Sequence, residues 1–208
     1  MTPPFDICMF VHNDVSGDGR VLKEAACLAA AGWRVAVVGV SLGGAPRQTE
    51  ESVSGFTIFR VTPRLLRRQM PGSWGKLLRL LVAIPAIARQ IRRTKARVFH
   101  GNDFIGLIML ALAGIRRRPV VYDSHELFFD RWPKGARYPL KYPLYTLRPL
   151  EKILARRAAG VLTVSEPIAD RLAQTLGIPR PIVLQNAVDL RHAGPPVAFS
   201  AGGRKIVA

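Results

Sequence analysis

Short apolar runs that break off in a cluster of polar residues, each followed by a helical pattern, constrain this chain more than any other feature of its sequence. The sharpest is Val120-Val121-Tyr122, which ends in Asp123-Ser124-His125-Glu126. An apolar run without polar alternation reads as a strand buried on both faces, and such strands belong to parallel sheets covered by helices. In those sheets ligands bind beyond the carboxyl ends of the strands. His125 is therefore the first candidate functional residue, because imidazole changes charge near neutral pH and can donate, accept or transfer a proton. A histidine that only caps or packs at a strand end is the alternative reading.

The same unit recurs along the chain. Asp6 to Val11 reads as a strand, His12 to Gly19 as a loop of turn formers, Arg20 to Ala31 as a helix stopped by Gly32, and Arg34 to Val40 as the next strand. The glycines of the first loop permit close approach of a ligand, and the helix after it offers unpaired N–H groups. A dinucleotide fingerprint is absent: there is no G-x-G-x-x-G, and Ser41-Leu42-Gly43-Gly44 stands where an acid would follow the second strand. Ser41 to Ser54 reads as a surface loop and Phe56 to Val61 as a third strand. A basic segment, Pro63 to Gly72, leads into a helix from Trp74 to Arg93, with Pro85 expected to kink it. Leu77, Leu80, Leu81, Ile84, Ile87, Ala88 and Ile91 share one face of its wheel, while Leu78 and Val82 project among basic residues. That pattern fits ordinary core packing with a solvated outer face, and it also fits a helix lying on a membrane.

Arg97 to His100 forms the fourth strand, closing on Gly101-Asn102-Asp103 before the apolar helix Phe104 to Leu112. Asp103 is placed to cap that helix and to reach the same edge as His125. After the fifth strand, Pro119 to Tyr122, basic and aromatic residues alternate among prolines from Asp130 to Tyr145. Such a segment suits a headgroup layer and, less well, nucleic acid. A helix over Leu147 to Ala158, a sixth strand from Gly160 to Ser165, a helix capped by Ser165, and a seventh strand from Pro181 to Gln185 complete the pattern. Leu190 to Gly203 reads as a linker, and Arg204 to Ala208 as the opening of another strand. The fold class is thus α/β, a Rossmann-like three-layer sandwich with a mostly parallel sheet of about seven strands.

Charge narrows the partners. The chain of 208 residues carries 31 Lys and Arg against 14 Asp and Glu, a formal +17. That excess implies an anionic partner, whether lipid surface, phosphorylated small molecule or nucleic acid, with a merely solvated basic face as the plain alternative. The two cysteines, Cys8 and Cys27, form no disulfide framework or metal-ligand spacing, and no secretory signal opens the chain. A cytoplasmic location is expected, with peripheral contact on the inner face of the membrane as a refinement.

Asp18-Gly19-Arg20-Val21-Leu22-Lys23-Glu24-Ala25, His100-Gly101-Asn102-Asp103, Tyr122-Asp123-Ser124-His125-Glu126, Val161-Leu162-Thr163-Val164-Ser165-Glu166 and Val183-Leu184-Gln185-Asn186-Ala187-Val188-Asp189 follow one another in an order that resembles the N-terminal half of a family 4 (group 1) glycosyltransferase. The resemblance implies a GT-B architecture, with two Rossmann-like domains across a cleft and a nucleotide-sugar donor held mainly by the second. It implies transfer with retention of configuration, no cofactor and no bound metal. It assigns acceptor contacts to the loop Ser16, Gly17, Asp18, Gly19 and Arg20 and to Asn102 and Asp103, and places Ser165 and Asn186 at the cleft. His125 takes the catalytic place, positioning and polarising the sugar being transferred. The family's first loop often carries paired glycines, which Asp18 here separates.

No pair of glutamates has the spacing of the family's donor-binding signature. The expectation is therefore a domain at 1–189, followed at 190–208 by a linker and the start of a missing donor-binding domain. Such a chain binds a sugar or lipid-linked acceptor, is inactive alone, and can self-associate through the exposed cleft face. Two other functions stand beside this one: a fragment of a GT-B nucleotide-sugar epimerase, and a non-catalytic module for anionic lipid or nucleic acid.

Overall fold

The computed structural model describes residues 4–41, 50–62, 72–115, 117–130 and 145–185. The basic segment before the long helix, the basic and aromatic stretch at 131–144, Asn186 and the linker at 190–208 lie outside the described residues. Eight strands form one sheet: β1 (Ile7–Phe10), β2 (Val35–Val40), β3 (Glu50–Val53), β4 (Phe56–Val61), β5 (Val98–Asn102), β6 (Val120–Ser124), β7 (Gly160–Thr163) and β8 (Ile182–Val183). Their order is β3-β4-β2-β1-β5-β6-β7-β8. Every pair is parallel except β3 with β4. The described helices are α1 (Gly19–Ala30), α2 (Gly72–Arg93), α3 (Asp103–Leu112), α4 (Arg148–Ala155) and α5 (Glu166–Leu172), the last continued by a single π-helical turn to Gly177.

The antiparallel edge strand corrects the reading of 41–54 as loop alone. Glu50–Val53 pairs back on β4 through Ser54-Gly55, both of which have positive φ, 44° and 85°. A two-residue turn of this hand matches the strand twist. Charged residues on a short edge strand carry no apolar signal, which is why the sequence reads as surface there.

Strand alternation sorts the core into two faces. Cys8 and Phe10 of β1, Val38 and Val40 of β2 and Phe99 of β5 face α2 and α3, meeting Ile87, Ile91, Met109 and Leu110. Met9, Val11, Val35, Val37 and Ile58 face the other way and are covered by Val21 and Ala25 of α1. This is the three-layer arrangement of a Rossmann-like fold. Burial in the first face pushes the Cys8 thiol up to about 12. Leu81 departs from the helical wheel: it stands on the exposed side of α2 instead of in the core.

Two close approaches set the carboxyl edge of the sheet. A Cβ on Gly39 of β2 would stand 2.5 Å from Val15 Cγ2 and 2.7 Å from the Asn13 carbonyl, so only glycine lets the β1–α1 loop fold down onto the sheet. Gly101 of β5 and Gly106 of α3 face each other in the same way, each Cβ position lying 2.9 Å from backbone of the other segment. That contact seats α3 directly on β5 and places Asp103 at the edge.

Candidate functional site

Because β6 alternates, Tyr122 and Asp123 leave opposite faces of the sheet. Tyr122 points toward α4, where its hydroxyl donates to Glu151 Oε1 at 2.6 Å. Asp123 points toward α1 and is fully buried. His100 of β5 shares that face, so α1 must present polar groups there, and it does so one turn apart through Arg20 and Glu24. Arg20 Nη2 donates to both Asp123 oxygens at 3.1 Å. Its Nε lies 3.0 Å from Glu24 Oε1, and its Nη1 donates to the Leu184 carbonyl at 3.1 Å just beyond β8. One buried guanidinium therefore ties the start of α1 to the ends of β6 and β8.

His125 sits above this pair. Its Nε2 is 3.1 Å from Asp123 Oδ2, its Nδ1 is 3.7 Å from Asp103 Oδ2, and its backbone N–H donates to Asp103 Oδ1 at 3.2 Å. The side chain keeps 20% of its surface open. Phe128 and Phe129 anchor the segment that carries it, packing on Phe104 of α3 with ring centroids 5.2 and 5.1 Å away. Asp103 itself has φ +59° and spends its carboxylate on His125 in place of the helix cap the sequence suggested.

The charges follow from this packing. Burial opposes ionisation of Asp123, but the His100 imidazole 3.6 Å away and the hydrogen bond with His125 outweigh it and hold the carboxyl well below its usual range. Burial disfavours the imidazolium of His125, yet the hydrogen bond to Asp123 and the charges of Asp103 and Asp123 raise it above its ordinary value. Burial raises Asp103, against the opposing pull of His125. Glu24 is raised by burial first and then by Asp123. Glu24, His100 and Asp123 bring three donor atoms within 4.8 Å of one another, a spacing a metal ion can use. The Arg20 guanidinium already supplies a cation to both carboxylates.

The other sequence candidates fall at different distances from this centre. Asp18 caps α1, accepting from Val21 N at 3.2 Å, and also accepts from Asn13 Nδ2 at 2.8 Å. Ser16 and Gly17 are exposed at the loop tip, and the space beside Gly17 and Gly19 is open. Ser16 Oγ faces Arg60 of β4 at 3.4 Å, away from His125. Asn102 is fully buried and donates to the Phe10 carbonyl at 3.1 Å, joining β5 to β1. Ser165 occupies the N-cap position of α5 without the side-chain cap bond expected of it. Glu24 and His100 were not singled out as site residues from the sequence, and Asp123 was read only as part of the polar strand end. Their signal was an acid one turn after Arg20 and polar residues at alternate positions of otherwise apolar strands.

Below the cluster an apolar groove of about 520 Å³ runs along α1 over Ile7, Val98, Val121 and Leu162, with Arg20 and His100 at its polar end. His100 is buried there with no hydrogen-bond partner at Nε2.

Comparison with known proteins gives this geometry a lineage. Among solved structures, sucrose-phosphate synthase from Thermosynechococcus elongatus superposes with TM-score 0.64 at 14% identity, over 87% of this chain and 47% of that one. A glycosyltransferase from Rickettsia africae superposes with TM-score 0.51 at 14% identity, over 90% of this chain and 44% of that one. The chain thus spans about half the length of these neighbours, and the likeness is one of fold. No curated protein sequence matches it. The model of Glycosyltransferase Family 4 matches residues 19–192, from the first residue of α1 past β8 and through every segment that meets at His125. The chain belongs to glycosyltransferase family 4.

Proposed function

We propose that this chain is the acceptor-side domain of a retaining glycosyltransferase, moving a sugar from a nucleotide-sugar donor to a sugar or lipid-linked acceptor. The observation that carries the reading is the convergence of Arg20, Asp103, Asp123 and His125 at the carboxyl edge of adjacent parallel strands, with the imidazole left open on one side. Both ring nitrogens of His125 face carboxylates, an arrangement that favours the imidazolium and suits the ring to donate a hydrogen bond better than to act as a base. Its Nδ1–H, 3.7 Å from Asp103, is beyond hydrogen-bond length and is the donor a substrate oxygen would meet. His125 in this role positions and polarises the sugar, and Arg20 keeps Asp123 charged and fixed beneath it.

On this reading the domain is 1–189, Asn186 and Ser165 border a cleft, donor contacts come from a further domain, and transfer needs no metal or cofactor. Alone, the chain turns over a negligible amount of nucleotide-sugar and self-associates weakly through its open face. Titration of the isotope-labelled chain with sugar acceptors tests the site directly. Shifts in the backbone amides of Asp103, His125 and Gly17 to Arg20 are expected, and shifts confined to other regions would count against it.

A further inference from the structure

The outer face of α2 differs from an ordinary solvated helix face. Leu78, Leu81 and Val82 are 44%, 50% and 36% exposed. Pro85, Ala86, Arg89, Arg92 and Arg93 are exposed as well. At 100° per residue all of these fall on one half of the helix, opposite the buried Ala83, Ile87 and Ile91. Single apolar residues on a surface need no explanation, but neighbours grouped on one face mark a contact. Two turns on, the same face becomes basic through Arg89 and Arg93, beside Arg92, which also donates to the Ala113 carbonyl at 3.2 Å.

Topology fixes where these halves lie. Since α2 connects parallel strands β4 and β5, it runs antiparallel to them, and its leucine-bearing half lies toward the carboxyl edge of the sheet. That is the edge that carries His125.

We propose that the outer face of α2 is the seat of this protein on an anionic lipid bilayer. Leu78, Leu81 and Val82 enter the boundary between headgroups and acyl chains, and Arg89 and Arg93 pair with lipid phosphates. A helix with one apolar and basic face lying in the interface plane binds through both terms at once. Among the described residues no helix is long and apolar enough to cross a membrane, so the contact is one of a helix lying on the surface. The formal charge of +17 is complementary to such a surface. Nucleic acid fits less well, because a phosphate backbone leaves Leu78, Leu81 and Val82 in water, whereas the boundary of a bilayer buries them. Resting on the sugar-transfer reading, one consequence follows: the seat brings the His125 edge to an acceptor carried on a lipid.

Vesicle co-sedimentation of the whole chain tests the proposal without donor or turnover. Vesicles containing phosphatidylglycerol are compared with phosphatidylcholine alone and with duplex DNA, at about 0.1 M salt and above. The variants are Leu78→Ser with Leu81→Ser and Val82→Ser, and Arg89→Gln with Arg93→Gln. Each is expected to weaken binding to the anionic vesicles about tenfold or more, with unchanged circular dichroism, and the arginine variant is expected to show a shallower salt dependence. Vesicle binding that neither variant changes, no binding to anionic vesicles, or preference for DNA would overturn it. So would a dimer in sedimentation velocity that the serine variant separates, since the patch would then join copies of the chain. Absence of acceptor-induced amide shifts at Asp103 and His125, with vesicle binding intact, would overturn the transferase reading and leave the seat standing.

Discussion

Arg20 and Asp123 set the energetics of the site because both are buried and each is the other's main partner. Removing one member of a buried pair strands a charge, so Arg20→Met is expected to cost about 3 kcal/mol or more in urea unfolding. Tyr122→Phe leaves the buried Glu151 without its donor and is expected to cost about 1.5–3 kcal/mol in the same measurement. The raised His125 contributes stability that is present below the ordinary imidazole range and is lost as pH rises through its folded value. The depressed Asp123 works in the opposite sense, its contribution being present above the ordinary carboxylate range and lost only in strong acid. An NMR pH titration is expected to place the His125 midpoint above that of a free imidazole, and Asp123→Asn to lower it. At this scale the sequence showed which polar residues stand at strand ends, His125 and Asp103 among them. It did not show that Glu24 and His100 complete the cluster, because that depends on which face of β5 meets which turn of α1.

Elements position these residues through contacts no propensity reveals. The β1–α1 loop lies on β2 because Gly39 has no side chain, and Val15 accepts φ +70° to make that fit. Gly39→Ala is expected to displace the loop and lower stability by about 1–3 kcal/mol, with the largest amide shifts at Asn13 to Ser16. The parallel strands were legible as continuous apolar runs, and α1 and α3 by their spacing. The edge strand β3 was not, since Glu50 to Val53 lacks an apolar face of its own. The helical wheel also misjudged Leu81, which at 100° per residue stands about 120° from the buried Ile87, at the edge of the apolar stripe where exposure begins.

On the scale of the molecule, seven parallel strands align their carboxyl ends so that three separate sequence segments meet at one buried arginine. The groove along α1 leaves apolar sheet open beside that meeting point, and the matched structures are about twice as long as this chain. If donor contacts come from a second domain, as proposed, this domain by itself gives negligible turnover with labelled nucleotide-sugars. The measurement that bears most directly on the account is the initial rate of sugar transfer by a polypeptide joining this domain to a donor-binding half, compared with its His125→Ala variant. A fall in kcat of about a hundredfold, with KM for the donor nearly unchanged, is predicted from the loss of one polarising donor at the reacting sugar. A variant that transfers sugar at the full rate would contradict it.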